Sequence, residues 1–331
     1  MKKSTILMLI IAIILICSSG NSHASDFSPW PANLKAVRIV SGGVGGSWYP
    51  FAARMAYYLN KQIPDVAFNG LAGTASANVQ AIHDGDAELS VNDLLPTIQG
   101  FQGNAPYEEK MPDLRLIGTF QMTNFGAFVR SDSEIYTFKD MLNKRITTTR
   151  TASDFITIIM NVLGLTPEAV KAAGGTINYS TNADCVQLMQ DRQADIFFCQ
   201  GFIGKPDVMS LNETIGLRWI GMTQEEIELA LKEEMIGMLG AIVKIPAGSL
   251  KGQKEDALTI GAPQVAITSA KMPEELVYYF TKFMLENSDD LGSVSGHFPS
   301  KEEILIGYKE GVTPPFHDGA IKYYKEIGLM K

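Results

Sequence analysis

A glycine-rich turn between a strand-like segment and a helix-like segment constrains this chain more than any other feature. Residues 37–60 read VRIVSGGVGGSWYPFAARMAYYLN, and the spacing of the apolar residues changes across the glycines from two to 3.6. The segment therefore predicts a buried strand, a tight turn and a helix. Ser47 is a suitable N-cap, and Pro50 is tolerated in a first helical turn, where the N–H groups have no partner within the helix.

The glycines of this turn allow a ligand to come close to the backbone. Gly42, Gly43, Gly45 and Gly46 have no Cβ, so the chain can adopt positive φ there and expose its N–H groups. Those donors and the positive end of the helix dipole favour an anion or a carboxylate. A tight strand-to-helix turn without a ligand is the alternative that the same glycines allow.

Residues 1–24 have the pattern of a secretory signal peptide. Lys2 and Lys3 precede an apolar run over residues 6–17, which is too short to span a bilayer comfortably, and a small-residue cleavage site ends at Ala24. We expect cleavage after Ala24 and export to the periplasm. No later stretch offers eighteen consecutive apolar residues, so we expect the mature chain to be soluble.

The charge balance argues against some classes of partner. The sequence has 28 basic and 36 acidic residues, and the predicted signal peptide removes two lysines and no acid, which leaves a net charge of −10. An acidic chain without a basic run is not typical of proteins that bind nucleic acid or an anionic membrane surface. The two remaining cysteines, Cys185 and Cys199, either form one disulfide in an oxidising compartment or stay buried as small apolar residues.

Strands alternate with helices along the mature chain, which predicts an α/β fold with two mixed, mostly parallel sheets flanked by helices. Gly85 and Gly164 follow two of the helices at the position of a C-terminal glycine cap. After the glycine turn, the predicted strands are residues 66–69, 87–91, 114–120, 126–130, 145–149, 176–180, 195–199, 217–221 and 265–268.

The order of these elements predicts two domains with a cleft between them. We expect domain 1 to comprise residues 25–130 plus 257–331, and domain 2 to comprise residues 131–256, because the C-terminal segment would return to the first unit. Two crossing segments would form a hinge, and the cleft would close over a ligand. Ligands of α/β sheets bind outside the carboxyl ends of the strands, so the polar residues that follow the strands are expected to meet there.

Motifs of the common catalytic and cofactor-binding classes are missing. No P-loop and no G-x-S-x-G elbow is present, and a dinucleotide fingerprint would need a glycine in place of Trp48 and an acid in place of Asn69. His83, His297 and His317 lack the spacing of metal ligands, and surface or capping roles are expected for them. We therefore expect no catalytic residue, no metal and no cofactor, and a binding protein rather than an enzyme.

Arg150 is the charge that best suits a binding role. It follows a predicted strand in a turn that would face the glycine turn across the cleft, where a guanidinium can hold a carboxylate in a bidentate pair. An exposed arginine beside a loop is the alternative, and the aromatic candidates could equally be core residues. The candidate ligand-binding residues are Gly43, Gly45, Gly46, Ser47, Trp48, Tyr49, Thr74, Ala75, Ser76, Asn92, Thr149, Arg150, Thr151, Ser153, Gln200 and Phe202.

The chain resembles a known family over nearly the whole mature sequence. The segments IVSGGVGGSWYPFAARMAYYLN, LAGTASANVQAIHDGDAEL, IPAGSLKGQ and PPFHDGAIKYYKEIGL together resemble the TAXI-type solute-binding proteins of tripartite ATP-independent periplasmic (TRAP) transporters. The resemblance implies a type II-like periplasmic-binding-protein fold and a small organic acid or an amino acid such as glutamate as ligand. It also implies delivery to a membrane permease driven by an ion gradient. We expect a monomer.

Mapped onto this sequence, the ligand loops of the family fall on residues 42–49, 72–76 and 149–153. The sequence departs from the family pattern at Arg150 and Asp154, at residues 91–94 and near Gln121, all at positions where ligand contacts are expected. Because of these departures, the resemblance does not identify the ligand. An exported α/β enzyme or a ligand-sensing protein that uses the same cleft is the alternative function.

Overall fold

Strands and helices alternate through the residues that the computed structural model describes, which are 34–43, 47–63, 65–149, 154–201, 203–295 and 303–331. The strands in this part of the chain are β1 (Ala36–Val40), β2 (Ala67–Leu71), β3 (Leu89–Asp93), β4 (Leu114–Arg130), β5 (Arg145–Thr149), β6 (Thr176–Ser180), β7 (Ile196–Gly201), β8 (Leu217–Trp219), β9 (Ala241–Ile245) and β10 (Ala257–Ser269). The helices are α1 (Trp48–Gln62), α2 (Ala75–Asp84), α3 (Leu94–Gln102), α4 (Asp154–Val162), α5 (Pro167–Ala172), α6 (Asn182–Gln190), α7 (Pro206–Ile215), α8 (Gln224–Leu231), α9 (Glu234–Leu239), α10 (Glu274–Glu286), α11 (Ser288–Ser295) and α12 (Asp318–Glu326).

The expected mixed α/β architecture is confirmed, and β4 and β10 connect its two sets of strands. The order of neighbouring strands is β2-β1-β3-β10-β4-β7-β5-β6, with β8 paired to β4 and β9 paired to β10. Pairing is parallel within β2-β1-β3 and within β7-β5-β6, and antiparallel wherever β4 or β10 takes part. The sheet is therefore one hydrogen-bonded network of two parallel halves.

The predicted strand and helix at the start of the chain are confirmed by β1 and α1, and residues 44–46 of the turn between them lie outside the described residues. Pro50 lies in the first turn of α1, and Ala52, Met55 and Leu59 are buried on one face of the helix. Ser47 is at the N-cap position, although its side chain makes no capping hydrogen bond. The helix packs closely on β2, because a Cβ added to Gly70 would lie 2.8 Å from the backbone nitrogen of Ala53.

β4 is one continuous strand of 17 residues, whereas the sequence predicted two strands that end and begin on either side of residues 121–125. Residues 121–125 are outside both predicted strands, but Gln121, Thr123 and Asn124 are all buried. β4 pairs with β10 there, and Pro263 of β10, which has no N–H to donate, lies opposite Met122 next to a register shift. The two long strands thus cross between the halves at a weakened part of the ladder.

The C-terminal segment returns to the first half of the sheet, as expected. Phe316 forms an isolated bridge with Leu116 of β4, and the buried hydroxyl of Tyr324 donates to the carbonyl of Ile117. The predicted domain boundaries at residues 130 and 257 coincide with the end of β4 and the start of β10. Residues 34–331 nevertheless form one compact unit, and the division into two domains stays a prediction.

The core of the second half contains both cysteines. Cys185 of α6 and Cys199 of β7 are free and buried, in one apolar cluster with Phe128, Phe197 and Trp219. The predicted signal peptide, residues 1–24, lies outside the described residues. None of the helices that are described combines the length and the apolar character that crossing a membrane requires.

Candidate ligand-binding cavity

A cavity of about 310 Å³ lies where the two halves of the sheet meet, and we call it the central cavity. β4 and β10 contribute its middle, α2, β3 and α3 one wall, and α4, β7 and α9 the other. This position is the one expected for a cleft between two lobes. The lining residues are Ala75, Ser76, Asp93, Leu94, Leu95, Pro96, Gln99, Thr123, Phe155, Gln200, Leu239, Ala262 and Pro263.

Three of the predicted binding residues line the central cavity. Ala75 and Ser76 form the first turn of α2, and Gln200 lies near the end of β7 on the opposite wall. The hydroxyl of Tyr107 donates to the carbonyl of Ser76 at 3.2 Å, which stabilises this turn. Thr74 is the N-cap residue of α2, and its side chain makes no capping hydrogen bond. The start of α2 therefore faces the cavity.

The two glycine-containing turns of the first half lie side by side. The backbone N–H of Gly73 donates to the carbonyl of Gly42 at 3.4 Å, and the amide of Asn78 donates to the carbonyl of Ser41 at 2.8 Å. A Cβ on Gly73 would overlap the side chain of Asn78, so only glycine fits there. The turn after β1 and the turn after β2 are thus joined, which confirms that they converge at one edge of the sheet.

A hydrogen-bonded chain of three side chains lies beside the cavity. The indole N–H of Trp48 donates to Oε1 of Gln264 at 3.0 Å, and Nε2 of Gln264 donates to Oδ1 of Asp93 at 3.0 Å. Gln264 is 4% exposed, and the ring of Trp48 packs edge-on against Phe120. Since an indole N–H can only donate, the orientation of the Gln264 amide is set, and its NH₂ group must face Asp93.

Asp93 brings a carboxyl group to the central cavity. It is the last residue of β3 and the N-cap residue of α3, where its side chain makes no capping bond. Burial raises the pKa of this carboxyl, and the hydrogen bond from Gln264 partly opposes that rise. Among the described residues that line the cavity, Asp93 is the one with an ionisable side chain.

Asn92 is turned away from the central cavity. Its neighbour Asp93 lines the cavity, and successive side chains of a strand point to opposite faces. Asn92 is fully buried, and its amide donates to the hydroxyl of Thr97 at 3.2 Å, which in turn donates to the carbonyl of Asp93 at 2.9 Å. This arrangement holds the first turn of α3, and a direct ligand contact by Asn92 stays a prediction.

The remaining predicted residues are placed in part. Tyr49 is half-buried in the first turn of α1, and Gly43 has open space where a Cβ would lie. Thr149 is the last residue of β5, and its side chain lies outside the described part of the chain. The following predicted residues also lie outside it: Gly45, Gly46, Arg150, Thr151, Ser153 and Phe202. Their contribution to a binding site stays a prediction.

Sequence reasoning did not select Asp93 or Gln264. Asp93 was recognisable as a polar residue at the end of a strand, but its neighbour Asn92 has the same signal. Gln264 lies 171 positions from Asp93 and 216 from Trp48, so no local pattern indicates their contact. The apolar lining from Phe155 and Leu239 was likewise not predicted.

A larger depression of about 870 Å³ lies beside β5, and its lining is rich in charged side chains. Arg192 pairs with Asp132 at 3.1 Å, and Arg130 donates to backbone carbonyls, among them that of Ala194 at 3.3 Å. Asp140 forms a capping box with Thr137 at the 3₁₀ turn Phe138–Met141. These contacts are those of a solvated polar surface, so the central cavity is the better candidate for a ligand.

The described histidines and acids offer no metal site. No group of three or more potential metal ligands occurs in the part of the chain that is described. His317 has the capping role expected from the sequence, because its Nδ1 accepts the backbone N–H of Gly319 at 3.1 Å at the start of α12. His83 lies 3.5 Å from the exposed carboxylate of Glu109, and His297 lies outside the described residues.

Comparison with known proteins gives one family and several similar structures. A model of the NMT1-like family matches residues 39–328. A TctC solute binding protein from Polaromonas is similar, with a TM-score of 0.53 and 11% identity over 91% of this chain and 100% of that chain. The periplasmic aliphatic sulphonate binding protein SsuA from Escherichia coli gives a TM-score of 0.47 and 14% identity over 82% and 76% of the two chains. The likeness to the TctC protein shows that this chain has the fold of a solute-binding protein.

Proposed function

This chain belongs to the NMT1-like family, and from that premise we propose that it is a periplasmic solute-binding protein of a transporter. It captures a small carboxylate or an amino acid in the central cavity and delivers it to membrane permease subunits, without catalysis. The observation that carries this proposal is the central cavity itself, which both halves of the sheet line and which lies at the crossing of β4 and β10. A ligand held there contacts both halves at once.

The size and lining of the central cavity suit a small metabolite. Its volume of about 310 Å³ is at the lower end of the range of about 300–1,000 Å³ for ligand pockets. Apolar side chains supply much of the lining, and a few polar ones are placed among them: Ser76, Asp93, Gln99, Thr123 and Gln200. Few polar groups in an apolar pocket fix the orientation of a ligand and supply its specificity.

Capture requires the two halves to move relative to each other, and β4 and β10 are the natural hinge. β10 pairs with β3 of the first half, β4 pairs with β7 of the second, and the ladder between β4 and β10 is irregular beside Gln264. A bent or bulged strand absorbs changes of φ and ψ more readily than a regular one. We propose that the two predicted domains, residues 25–130 plus 257–331 and residues 131–256, rotate about this crossing and close the cavity.

For the ligand carboxylate we propose the glycine turn and Arg150. The proposal is supported by the hydrogen bond between the turns after β1 and β2 and by Ala75 and Ser76, at the start of α2, which line the cavity. Arg150 lies four residues before the start of α4, whose Phe155 lines the opposite wall. A guanidinium and free helix N–H groups are both suited to a carboxylate.

Membership of the TAXI group, export after Ala24 and partnership with a TRAP permease are part of the same proposal. They are supported by the motifs of the sequence and by the signal-peptide pattern of residues 1–24. Co-purification of the tagged protein with the products of neighbouring permease genes tests the partnership. A neighbouring sensor kinase in place of permease genes would favour the ligand-sensing alternative.

The ligand class is tested by native mass spectrometry of the protein as purified, followed by a thermal-shift screen of amino acids and small carboxylates. A ligand bound by the folded state alone raises the melting temperature, by an amount that grows with its concentration above Kd. We expect at least one member of the two classes to do so. If none does, the proposed ligand class is wrong.

The role of Arg150 is tested with Arg150→Ala in calorimetry against a ligand found in that screen. Loss of a charge-assisted hydrogen bond should weaken binding by about 1.5–3 kcal/mol, or roughly ten- to a hundredfold. Arg192→Ala is the matched control, because Arg192 is exposed and pairs with Asp132 away from the cavity. Equal affinities of the two variants would contradict the assignment to Arg150.

A further inference from the structure

We infer that this chain has a second ligand site behind the crossing of β4 and β10, and that this site takes a neutral, mostly apolar molecule with a carboxamide group. The site is a cavity of about 490 Å³, which we call the rear cavity. Its described walls include Met122 and Asn124 of β4, residues 241–246 in and after β9, and Ile306 of the C-terminal segment.

The rear cavity lies on the opposite face of β4 from the central cavity. Met122 and Asn124 line the rear cavity, whereas Thr123, between them, lines the central cavity. Successive side chains of a strand point to opposite faces of the sheet. The two cavities are therefore separate, with β4 between them.

Apolar side chains form most of the described lining of the rear cavity. Ile203, Ile242 and Ile306 are among them, and Ile242 and Ile306 are 51% and 37% exposed. A molecule bound there would remove this apolar surface from water, which favours binding. The volume of the cavity is within the range of about 300–1,000 Å³ for small-molecule sites.

The charged side chains of the described lining already have partners. They are Lys244 and Glu303. The ammonium group of Lys244 lies 2.5 Å from the carboxylate of Asp256, and Glu303 also has a partner. A charged ligand would therefore lose its hydration without meeting an unpaired opposite charge in this part of the cavity, which favours a neutral ligand.

Asn124 supplies the polar group that a ligand can satisfy. Its side chain is 5% exposed, and its Oδ1 atom is buried without a hydrogen-bond partner among the described residues. Its cross-strand neighbour is Gly261, where a Cβ would lie 2.6 Å from Oδ1, so the glycine leaves room for the amide. A buried amide without a partner is unfavourable, and a carboxamide, which both donates and accepts, matches its donors and its acceptor.

The rear cavity can also couple to movement of the hinge, and this coupling rests on the proposed function. Asn124 and Ile306 belong to predicted domain 1, whereas Ile203 and Ile242 belong to predicted domain 2. Rotation about β4 and β10 would change the distance between these walls. A molecule that fits one arrangement better shifts the equilibrium toward it, and a solute in the central cavity then changes the affinity for that molecule by the same factor.

The site is tested by calorimetry of the purified protein with benzamide and acetophenone. The two probes share a ring and a carbonyl group, but acetophenone has a methyl group in place of the NH₂ donor. We expect benzamide to bind about three- to tenfold more tightly, which is the effect of one net hydrogen bond. Asn124→Leu has a similar volume and no amide, and it should bind the two probes equally.

Controls separate recognition from folding and locate the probe. Asn124→Leu removes a buried, unpaired amide and should unfold at the same or a higher temperature than the unmodified protein. Asn178→Leu changes an exposed asparagine of β6 and should keep the preference for benzamide. In methyl spectra of isoleucine-labelled protein, benzamide should shift the signals of Ile203, Ile242 and Ile306.

Several outcomes would overturn the site. They are equal binding of the two probes by the unmodified protein, a preference for benzamide that survives in Asn124→Leu or is lost in Asn178→Leu, and methyl shifts confined to isoleucines outside the rear cavity. If neither probe binds, the cavity holds water only, and the inference is likewise wrong.

The coupling is tested by repeating the benzamide titration in the presence of a saturating solute from the thermal-shift screen. We expect the affinity for benzamide to change. An unchanged affinity would overturn the coupling to the hinge, although the site itself would stand. If the screen yields no solute, the proposed function fails, while the two probes still test the rear cavity by themselves.

Discussion

Gln264 links Trp48 to Asp93, the ionisable residue of the central cavity, through two hydrogen bonds. Its replacement should destabilise the protein measurably. Gln264→Leu keeps a similar volume but removes the acceptor of the Trp48 indole N–H and the donor to Asp93. Because leucine fills a similar volume, the substitution creates no new void at this buried position. The change therefore isolates the two hydrogen bonds.

The expected loss in the free energy of unfolding follows from what each of the two hydrogen bonds contributes. A neutral hydrogen bond such as that from Trp48 contributes about 1 kcal/mol, and one to a carboxylate such as Asp93 contributes about 1.5–3 kcal/mol. We expect the free energy of unfolding of Gln264→Leu to fall by about 2.5–4 kcal/mol. That is a large part of the stability of an ordinary domain, about 5–15 kcal/mol.

Urea unfolding at pH 7, followed by circular dichroism and extrapolated linearly to water, measures this difference. A loss of less than about 0.5 kcal/mol would show that the chain from Trp48 to Asp93 does not contribute to the folded state. In that case the hydrogen-bonded link between Gln264 and Asp93 would have to be abandoned.

Gln264→Glu is the matched variant with a pH signature. A glutamate keeps the acceptor for Trp48 but places a second acid beside Asp93, which raises the pKa of the pair above the ordinary value of about 4. An acid with a raised pKa contributes stability below its unfolded pKa and loses it as the pH rises through the folded value. We expect Gln264→Glu to approach the unmodified protein in stability near pH 4 and to be clearly less stable at pH 7. A constant difference over this range would contradict the proximity of the two groups.

Two further predictions concern packing and capping. Gly70→Ala should lower the free energy of unfolding by about 1–3 kcal/mol, because the new Cβ would lie 2.8 Å from the backbone nitrogen of Ala53, whereas Gly43→Ala, which meets open space, should change it by less than about 0.5 kcal/mol in the same urea assay. Equal effects would show that α1 does not pack on β2 as described. His317 should make the protein less stable in acid: burial lowers its pKa, so its contribution is present above the unfolded value of about 6.5 and is lost as the pH falls through the folded value. His317→Asn keeps a capping acceptor for Gly319 without titrating, and its melting temperature should fall less between pH 7.5 and pH 5 than that of the unmodified protein.

Local signals in the sequence predicted local structure well. The change of apolar spacing across the first glycines predicted β1 and α1, and Gly85 has the positive φ of 78° that a C-terminal cap requires. Of the surface and capping roles expected for His317, the structure shows capping. Each of these features depends on residues within a few positions of one another, so the pattern alone contains the physical reason.

Features that depend on distant contacts could not be predicted in the same way. Residues 121–125 are outside both predicted strands, and only pairing with β10, more than a hundred residues later, makes Gln121, Thr123 and Asn124 the buried middle of β4. In the candidate site, the starts of helices were predicted from glycine and serine patterns. The pairing of Gln264 with Trp48 and Asp93 depends on the assembled sheet and has no local signal.

The position of β10 in the sheet has a consequence for how the protein is made. β10 lies between β3 and β4, although it follows them by more than 120 residues in the chain. During synthesis, β3 and β4 therefore each keep one edge unpaired until residues 257–269 are made and pair with both. Such a late, long-range insertion slows folding. Until it occurs, the unpaired strand edges stay exposed and can pair with other chains. A chain truncated before β10 should thus be a substrate for chaperones and proteases rather than a smaller working version of the protein.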